Sequence, residues 1–147
     1  MKLSTKGRYG LRAMIDLAAH TQGEPVTLNS IATRENLSPN YLEHVFALLK
    51  KSGLVKSVKG AEGGYILSSS PDQISVGQIL RALEGSLSVI EENPAINSSS
   101  KLYKCLQVNV WARMDNCLNE LVDTLMLANL VNDYHKLNKM EANMYYI

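Results

Sequence analysis

Five hydrogen-bonding side chains fall within seven positions of one another: Ser38, Asn40, Tyr41, Glu43 and His44. Serine and asparagine can bond base edges or phosphates. Glu43 can accept from the amino group of cytosine, and because its charge repels phosphate it can select as well as bind. All five open the stretch LSPNYLEHVFALLKKSG, residues 37–53, in which Leu42, Val45, Leu48 and Leu49 recur at helical spacing. Ser38 followed by Pro39 is a strong helix start: the hydroxyl accepts an orphan backbone N–H, and proline's fixed φ suits the first helical position. Gly53 ends the helix. The polar residues therefore crowd its first two turns, at the positive end of its dipole, where phosphate is also favoured. Such a helix start fits the major groove of B-DNA, where N-terminal side chains reach base edges. In the competing reading Tyr41 belongs partly to the core and Glu43 is a solvated helix charge.

The preceding sequence supplies a support for this helix. In LSTKGRYGLRAMIDLAAHT, Leu11, Met14, Ile15 and Ala18 give the i, i+3, i+4, i+7 pattern of an amphipathic helix, with Ser4 or Thr5 as its cap. Lys6, Arg8 and Tyr9 near its start are candidate phosphate contacts. TLNSIATRENL predicts a short second helix with Thr27 as N-cap and Leu28, Ile31 and Ala32 inward. Two helices joined by a tight turn make a helix-turn-helix. Val55–Val58 and Tyr65–Leu67 then predict two short strands around a glycine-containing loop, a wing. Lys59-Gly60 and Gly63-Gly64 can take positive φ at its tip. Lys59 there fits the minor groove, where narrow A·T tracts concentrate negative potential. Ser75 and Gln78 predict a capping box for a further helix that Gly85 stops.

The charge agrees with a polyanion partner. Residues 1–66 hold nine Lys/Arg and five Asp/Glu, a net +4; residues 67–147 hold six and nine, a net −3. A solvated surface with chance asymmetry is the plain alternative. At 147 residues and 46% hydrophobic the composition is that of a globular domain, with no apolar run long enough for a membrane span. The basic N-terminus lacks the apolar centre of a signal peptide, so the expected location is the cytoplasm. Two cysteines do not make a disulfide framework there. His20, His44 and His135 lie on separate elements with no nucleophile–base pair, metal spacing or phosphate loop, so no enzyme is expected.

The second half reads as an arm. Ser86–Ser100 is polar, aperiodic and broken by Pro94, an exposed loop. From Lys101 to Val131 there is no Gly or Pro, and Trp111, Met114, Leu118, Leu121 and Leu125 recur at spacings of 3, 4, 3 and 4. A 30-residue helix spans roughly 45 Å, longer than so small a core can cover. This seam is therefore expected to dimerise the chain, against the alternative that it lies across its own domain. The tail from His135 onward carries no signal. The expected fold is mainly α with a small β-wing: a winged helix-turn-helix over 1–85, an exposed loop over 86–100, a long dimerisation helix over 101–134 and a tail over 135–147. Cys117 is expected to be a buried small hydrophobe. Cys105, near a helix start, is either an inert, partly buried thiol or a redox thiol of lowered pKa.

MKLSTKGRYGLRAMIDLA, LSPNYLEHVFALLKKSGLVKSVKGAEGGYIL and ISVGQILRALEG resemble the bacterial regulators that include IscR, NsrR and CymR, from Met1 to about Tyr134. The resemblance implies a homodimeric winged-helix transcription factor whose long helices cross between subunits and whose recognition helices bind a palindromic operator. It puts Ser38, Asn40 and Glu43 at base-reading positions and Lys59 in the minor groove. It matches Gly60, Gly63 and Gly64 to a glycine-rich wing tip. Many relatives hold an iron–sulfur cluster on three cysteines six residues apart, with a histidine three residues after the last. Here that spacing gives Asn93, Ser99 and Cys105, then Val108. Only Cys105 is a normal cluster ligand. No cofactor is therefore expected. Three explanations stay open: a regulator resembling CymR, which lacks a cluster and answers to a partner enzyme of cysteine synthesis; a sensor of a small molecule or oxidant; or a chain whose ligand cysteines have been replaced. A winged helix used for protein interaction without DNA is the alternative of another class.

Overall fold

The computed structural model describes residues 1–91 and 100–145. Helix α1 (Thr5–His20) is capped by Ser4, whose hydroxyl accepts from the Gly7 N–H at 3.4 Å. Glu84 adds a second cap, accepting from the N–H groups of Ser4 at 3.0 Å and Gly7 at 3.1 Å. Helices α2 (Leu28–Glu35) and α3 (Pro39–Lys51) start on the predicted caps, Thr27 and Ser38. Between them Asn36 takes the left-handed conformation, φ 53°. Strands β1 (Val55–Val58) and β2 (Gly64–Leu67) pair antiparallel, Val55 opposite Leu67 and Val58 opposite Gly64. A 3₁₀ turn (Pro71–Gln73) leads to α4 (Val76–Glu84). Its predicted capping box is formed: the Gln78 N–H donates to the Ser75 hydroxyl at 3.0 Å, and the Ser75 N–H to Gln78 Oε1 at 2.8 Å.

The main core lies between α1, α2, α3 and α4, with Met14, Leu17, Ile31, Leu42, Phe46, Leu49 and Ile79 almost wholly buried. Helix α1 is enclosed on more than one side. Ala13, Leu17 and even Asp16 are buried, whereas Leu11 and Ile15, predicted to face inward, are half-buried. The reason is its central place: α4 and the C-terminal helix pack on it as well as α2 and α3.

The predicted unbroken helix from Lys101 to Val131 is corrected. Helix α5 (Lys101–Leu106), a π-helical turn (Gln107–Trp111) and α6 (Ala112–Thr124) run on continuously. Leu125 (φ −82°, ψ 112°) and Met126 (φ −96°, ψ 151°) are then extended, and α7 (Leu127–Met144) begins a new direction. What stabilises the break is distant in sequence. The Val76 N–H donates to the Leu125 carbonyl and the Leu127 N–H to the Ile74 carbonyl, both at 2.8 Å. Buried backbone groups must find such partners. The tail is also corrected, since its residues continue α7 to Met144. Leu127 and Val131 enter the main core.

The described part of the expected loop, residues 86–91 and 100, is exposed only in part. Leu87 is buried, and Asp115 on α6 accepts from the Val89 N–H at 2.7 Å and the Ser88 hydroxyl at 3.1 Å. Asn93, Pro94, Ser98 and Ser99 lie outside the described residues. Arg81 fastens α6 to α4, bonding Asp123 at 2.5 Å and 3.1 Å and Asn119 at 2.5 Å. The hydrogen bond from Arg81 holds the Asp123 carboxyl below the ordinary value of 3.8, against an opposing effect of burial. A lowered carboxyl stabilises the fold above its unfolded pKa and loses that contribution as pH falls through the folded one. The stability difference between wild type and Asp123→Asn should therefore be present at neutral pH and close below about pH 3.8. Urea unfolding of both proteins across pH checks it. Among the described residues, no helix is long and apolar enough to cross a membrane.

Candidate nucleic-acid interface

Ser38, Asn40, Glu43 and His44 are exposed on the first two turns of α3, and Tyr41 is half-buried among them. The Ser38 hydroxyl accepts from the Tyr41 N–H at 3.3 Å. As a cap it uses its acceptor capacity and keeps its own hydrogen to donate. The Tyr41 ring meets Tyr9 of α1 edge-on, centroids 6.1 Å apart and planes at 80°. The Tyr41 ring thus packs inward, while its backbone opens the exposed helix start. Burial, then the neighbouring Tyr9 and Glu84, raise the Tyr41 pKa above 10, so the phenol keeps its proton at neutral pH.

The Tyr9 ring also receives two guanidinium groups, with Arg8 Cζ 5.9 Å and Arg12 Cζ 5.3 Å from its centroid. Arg8 is exposed and pairs with no acidic group among the described residues. Lys6 is half-buried at the start of α1, and its side chain joins no hydrogen bond or ion pair among them. Arg12 was not among the residues the sequence singled out. Its role depends on Glu35, 23 positions away, where its Nη2 donates to the carbonyl at 2.8 Å.

The wing is a second exposed point. Lys59 and Gly60 are exposed at its tip. Positive φ falls on Gly60 (114°) and Gly64 (153°) but not on Gly63, correcting the expectation for that residue. A Cβ on Gly63 would instead meet the Val58 carbonyl. The wing is fixed to α3 and to the chain before α2. Lys50 Nζ donates to the Ser57 hydroxyl at 2.9 Å, the Phe46 and Tyr65 rings lie 5.0 Å apart, and Val26 and Tyr65 exchange backbone hydrogen bonds of 2.8 Å and 2.9 Å. Glu43 lines the groove between α3 and the wing together with Ser57 and Tyr65.

The arm divides the predicted seam. Leu118 and Leu125 pack inward on Val76, Leu80, Leu87 and Val122, and Trp111 is half-buried. Met114 and Leu121 face outward, 47% and 61% exposed, in line with Leu102 at 70% and Leu106 at 39%. Leu118 and Leu125 find partners within the chain, so the five do not share one free face. Cys117 is exposed, against the expectation of burial, because α6 rests on the domain through its Val122 side. Cys105 is exposed too, and Asn109 Nδ2 lies 3.7 Å from its sulfur. These residues do not fit an iron–sulfur cluster. Cys105 and Cys117 stand twelve positions apart on one rod, about 18 Å, Val108 offers no donor, and no group of three His, Cys, Asp or Glu among the described residues can hold a metal ion.

A helix-turn-helix with a wing braced against its second helix defines a winged-helix transcriptional regulator. Residues 3–133 match the family described as Rrf2, iron-dependent transcriptional regulator. The HTH-type transcriptional regulator CymR of Bacillus subtilis (strain 168) is 42% identical over 151 aligned positions, covering 100% of each chain. The chain belongs to the Rrf2 family. A solved structure of B. subtilis CymR, described as the global cysteine regulator, superposes with a TM-score of 0.74, covering 90% of this chain and 97% of that one. IscR of T. potens gives 0.72 at 44% identity, covering 91% and 88%. These relatives are transcriptional regulators, which are not enzymes.

Proposed function

We propose that this protein is a homodimeric, sequence-specific repressor that binds a palindromic operator, with the start of α3 in the major groove and the wing in the minor groove. The observation that carries the reading is the bracing of two exposed polar points, Ser38–His44 and Lys59-Gly60, on one rigid unit through the Lys50–Ser57 and Phe46–Tyr65 contacts. Ser38, Asn40 and Glu43 read bases; Arg8 and Tyr9, with Lys6, meet the backbone. Two copies join through the outward apolar residues of the rod, Leu102, Leu106, Met114 and Leu121, which are too exposed for a lone chain. Trp111 contributes at their edge.

The regulated genes belong to a metabolic or stress-response operon of the cytoplasm. The relative described as a global cysteine regulator favours the metabolic choice. Signal input through a regulatory protein partner agrees with the lack of a fitting cluster site among the described residues. An iron–sulfur sensor is the second reading, favoured by the family's description as iron-dependent. An ultraviolet–visible spectrum of protein purified without oxygen, with iron and sulfide quantified, separates the two. Stoichiometric iron would sink the cluster-free reading, and Cys105 would be substituted first.

The main test is selection of operators from random duplexes, followed by binding against salt. Lys59→Ala should weaken operator binding and reduce the slope of log K against log[salt] by about 0.9, one phosphate neutralisation. An unchanged affinity and slope would remove Lys59 from the interface.

A further inference from the structure

We propose that Arg12 is a positioning residue for operator recognition, fixing the recognition helix from behind rather than gripping the DNA backbone. The inference rests on the DNA-binding reading above. Arg12 stands on α1 beside the end of α2. Its Nη2 donates at 2.8 Å to the carbonyl of Glu35, the last residue of α2. That carbonyl is one of the four a helix end leaves without an internal partner, at the negative end of the helix dipole. The same guanidinium lies 5.3 Å from the centroid of Tyr9, and Tyr9 meets Tyr41 edge-on in the first turn of α3. One planar group therefore spans from the end of α2 to the aromatic pair against the start of α3. These are the two elements that flank the turn at residues 36–38. Tilting α3 about that turn must move Tyr41 against Tyr9, and Arg12 resists it.

Its charge argues against a backbone contact. Glu35 Oε1 lies 3.5 Å from Arg12 Nη2, so an acidic side chain already faces the guanidinium. A phosphate brought there would meet that carboxylate as well. Arg8 approaches the same ring at 5.9 Å without an acidic partner among the described residues, and is the arginine left to meet phosphate. Arg12 and Arg8, one helical turn apart on a shared ring, thus do different work.

The test compares Arg12→Ala, Arg12→Lys and Arg8→Ala in the full chain. Each is titrated against the duplex selected by wild type and a scrambled duplex, over a range of salt. Arg8→Ala should weaken both duplexes alike and lower the salt slope by about one. Arg12→Ala should weaken the selected duplex about tenfold, leaving the scrambled duplex and the salt slope unchanged. Lysine keeps the charge but lacks the planar fork that serves a carbonyl and a ring together. Arg12→Lys should therefore show the same loss of specificity with a melting temperature near wild type, and it decides the matter should Arg12→Ala fold poorly. Equal losses on both duplexes with a lower slope would make Arg12 a phosphate contact and overturn the proposal. Unchanged specificity in both Arg12 variants would overturn it too. Wild type binding no duplex would sink the DNA-binding reading itself, an outcome distinct from either.

Discussion

Arg34→Ala is expected to destabilise the protein by about 3 kcal/mol, the low end of the range for breaking a buried ion pair, because Arg34 keeps 33% of its side chain exposed while Asp16 is buried. The Asp16 side chain is 1% exposed in the middle of α1, with fully buried Met14 and Leu17 beside it. Arg34 of α2 supplies its partner, donating through Nη2 to Oδ1 at 2.7 Å and through Nε to Oδ2 at 3.0 Å. His20 Nδ1 is 3.6 Å from Asp16 Oδ1, but it faces the Asp16 carbonyl at 2.8 Å and carries charge only when protonated. Without Arg34 a carboxylate stays buried with no full counter-charge, and burying such a group is costly. The asymmetry gives a sharper form of the prediction. Arg34→Lys should lose less, because it keeps the charge and loses the fork. The double variant Asp16→Ala with Arg34→Ala should be more stable than Arg34→Ala alone, because no orphan charge remains. Urea unfolding of the four proteins measures all of this. A loss below about 1 kcal/mol for Arg34→Ala would show that the pair contributes no more than a surface bridge.

That pair also shows where the sequence was legible and where it was not. Signals that act over three or four residues were readable. Ser38 before Pro39, Thr27 before Leu28 and the Ser75–Gln78 box each satisfy a helix end locally, and each forms. The wing strands follow from β-branched residues bounded by glycine, and the structure adds only Gly64 to the second. Long-range partners left no such trace. Nothing near Asp16 in the sequence marks it as buried and paired, because its arginine lies 18 positions on. Arg12 looked like one more cation. The break after Thr124 contains neither Gly nor Pro, and its cause is a pair of hydrogen bonds to residues some fifty positions earlier. The heptad-like spacing of Trp111 to Leu125 was real as a pattern. Its members split between two faces because Leu118 and Leu125 found partners within the chain. At the candidate site the exposed helix start and wing tip follow from local pattern, whereas the bracing behind them does not.

Leu127→Ala is expected to cost about 2–5 kcal/mol, and its effect should spread to DNA binding. Leu127 is the first residue of α7 and 0% exposed, set in the cluster that holds Met14, Leu17 and Ile31 of the helix-turn-helix. The break at Leu125 and Met126 therefore does more than end a helix. It turns the chain so that the arm beyond the rod becomes part of the recognition domain's core. Truncating Leu127 would leave a cavity between α1 and α7 while removing nothing from the interface surface. Leu137→Ala, on the same helix but 64% exposed, should stay within about 0.5 kcal/mol in the isolated chain. Chemical denaturation followed by far-ultraviolet circular dichroism, with operator binding on the same samples, checks both. If Leu127→Ala melted α7 alone and left α1 to α4 at wild-type stability, the arm would be an appendage. If the whole chain unfolds in one weakened transition, the arm and α3 share one core. A change felt by the arm then reaches α3 through packed side chains, which deform together because a close-packed interior leaves them no slack.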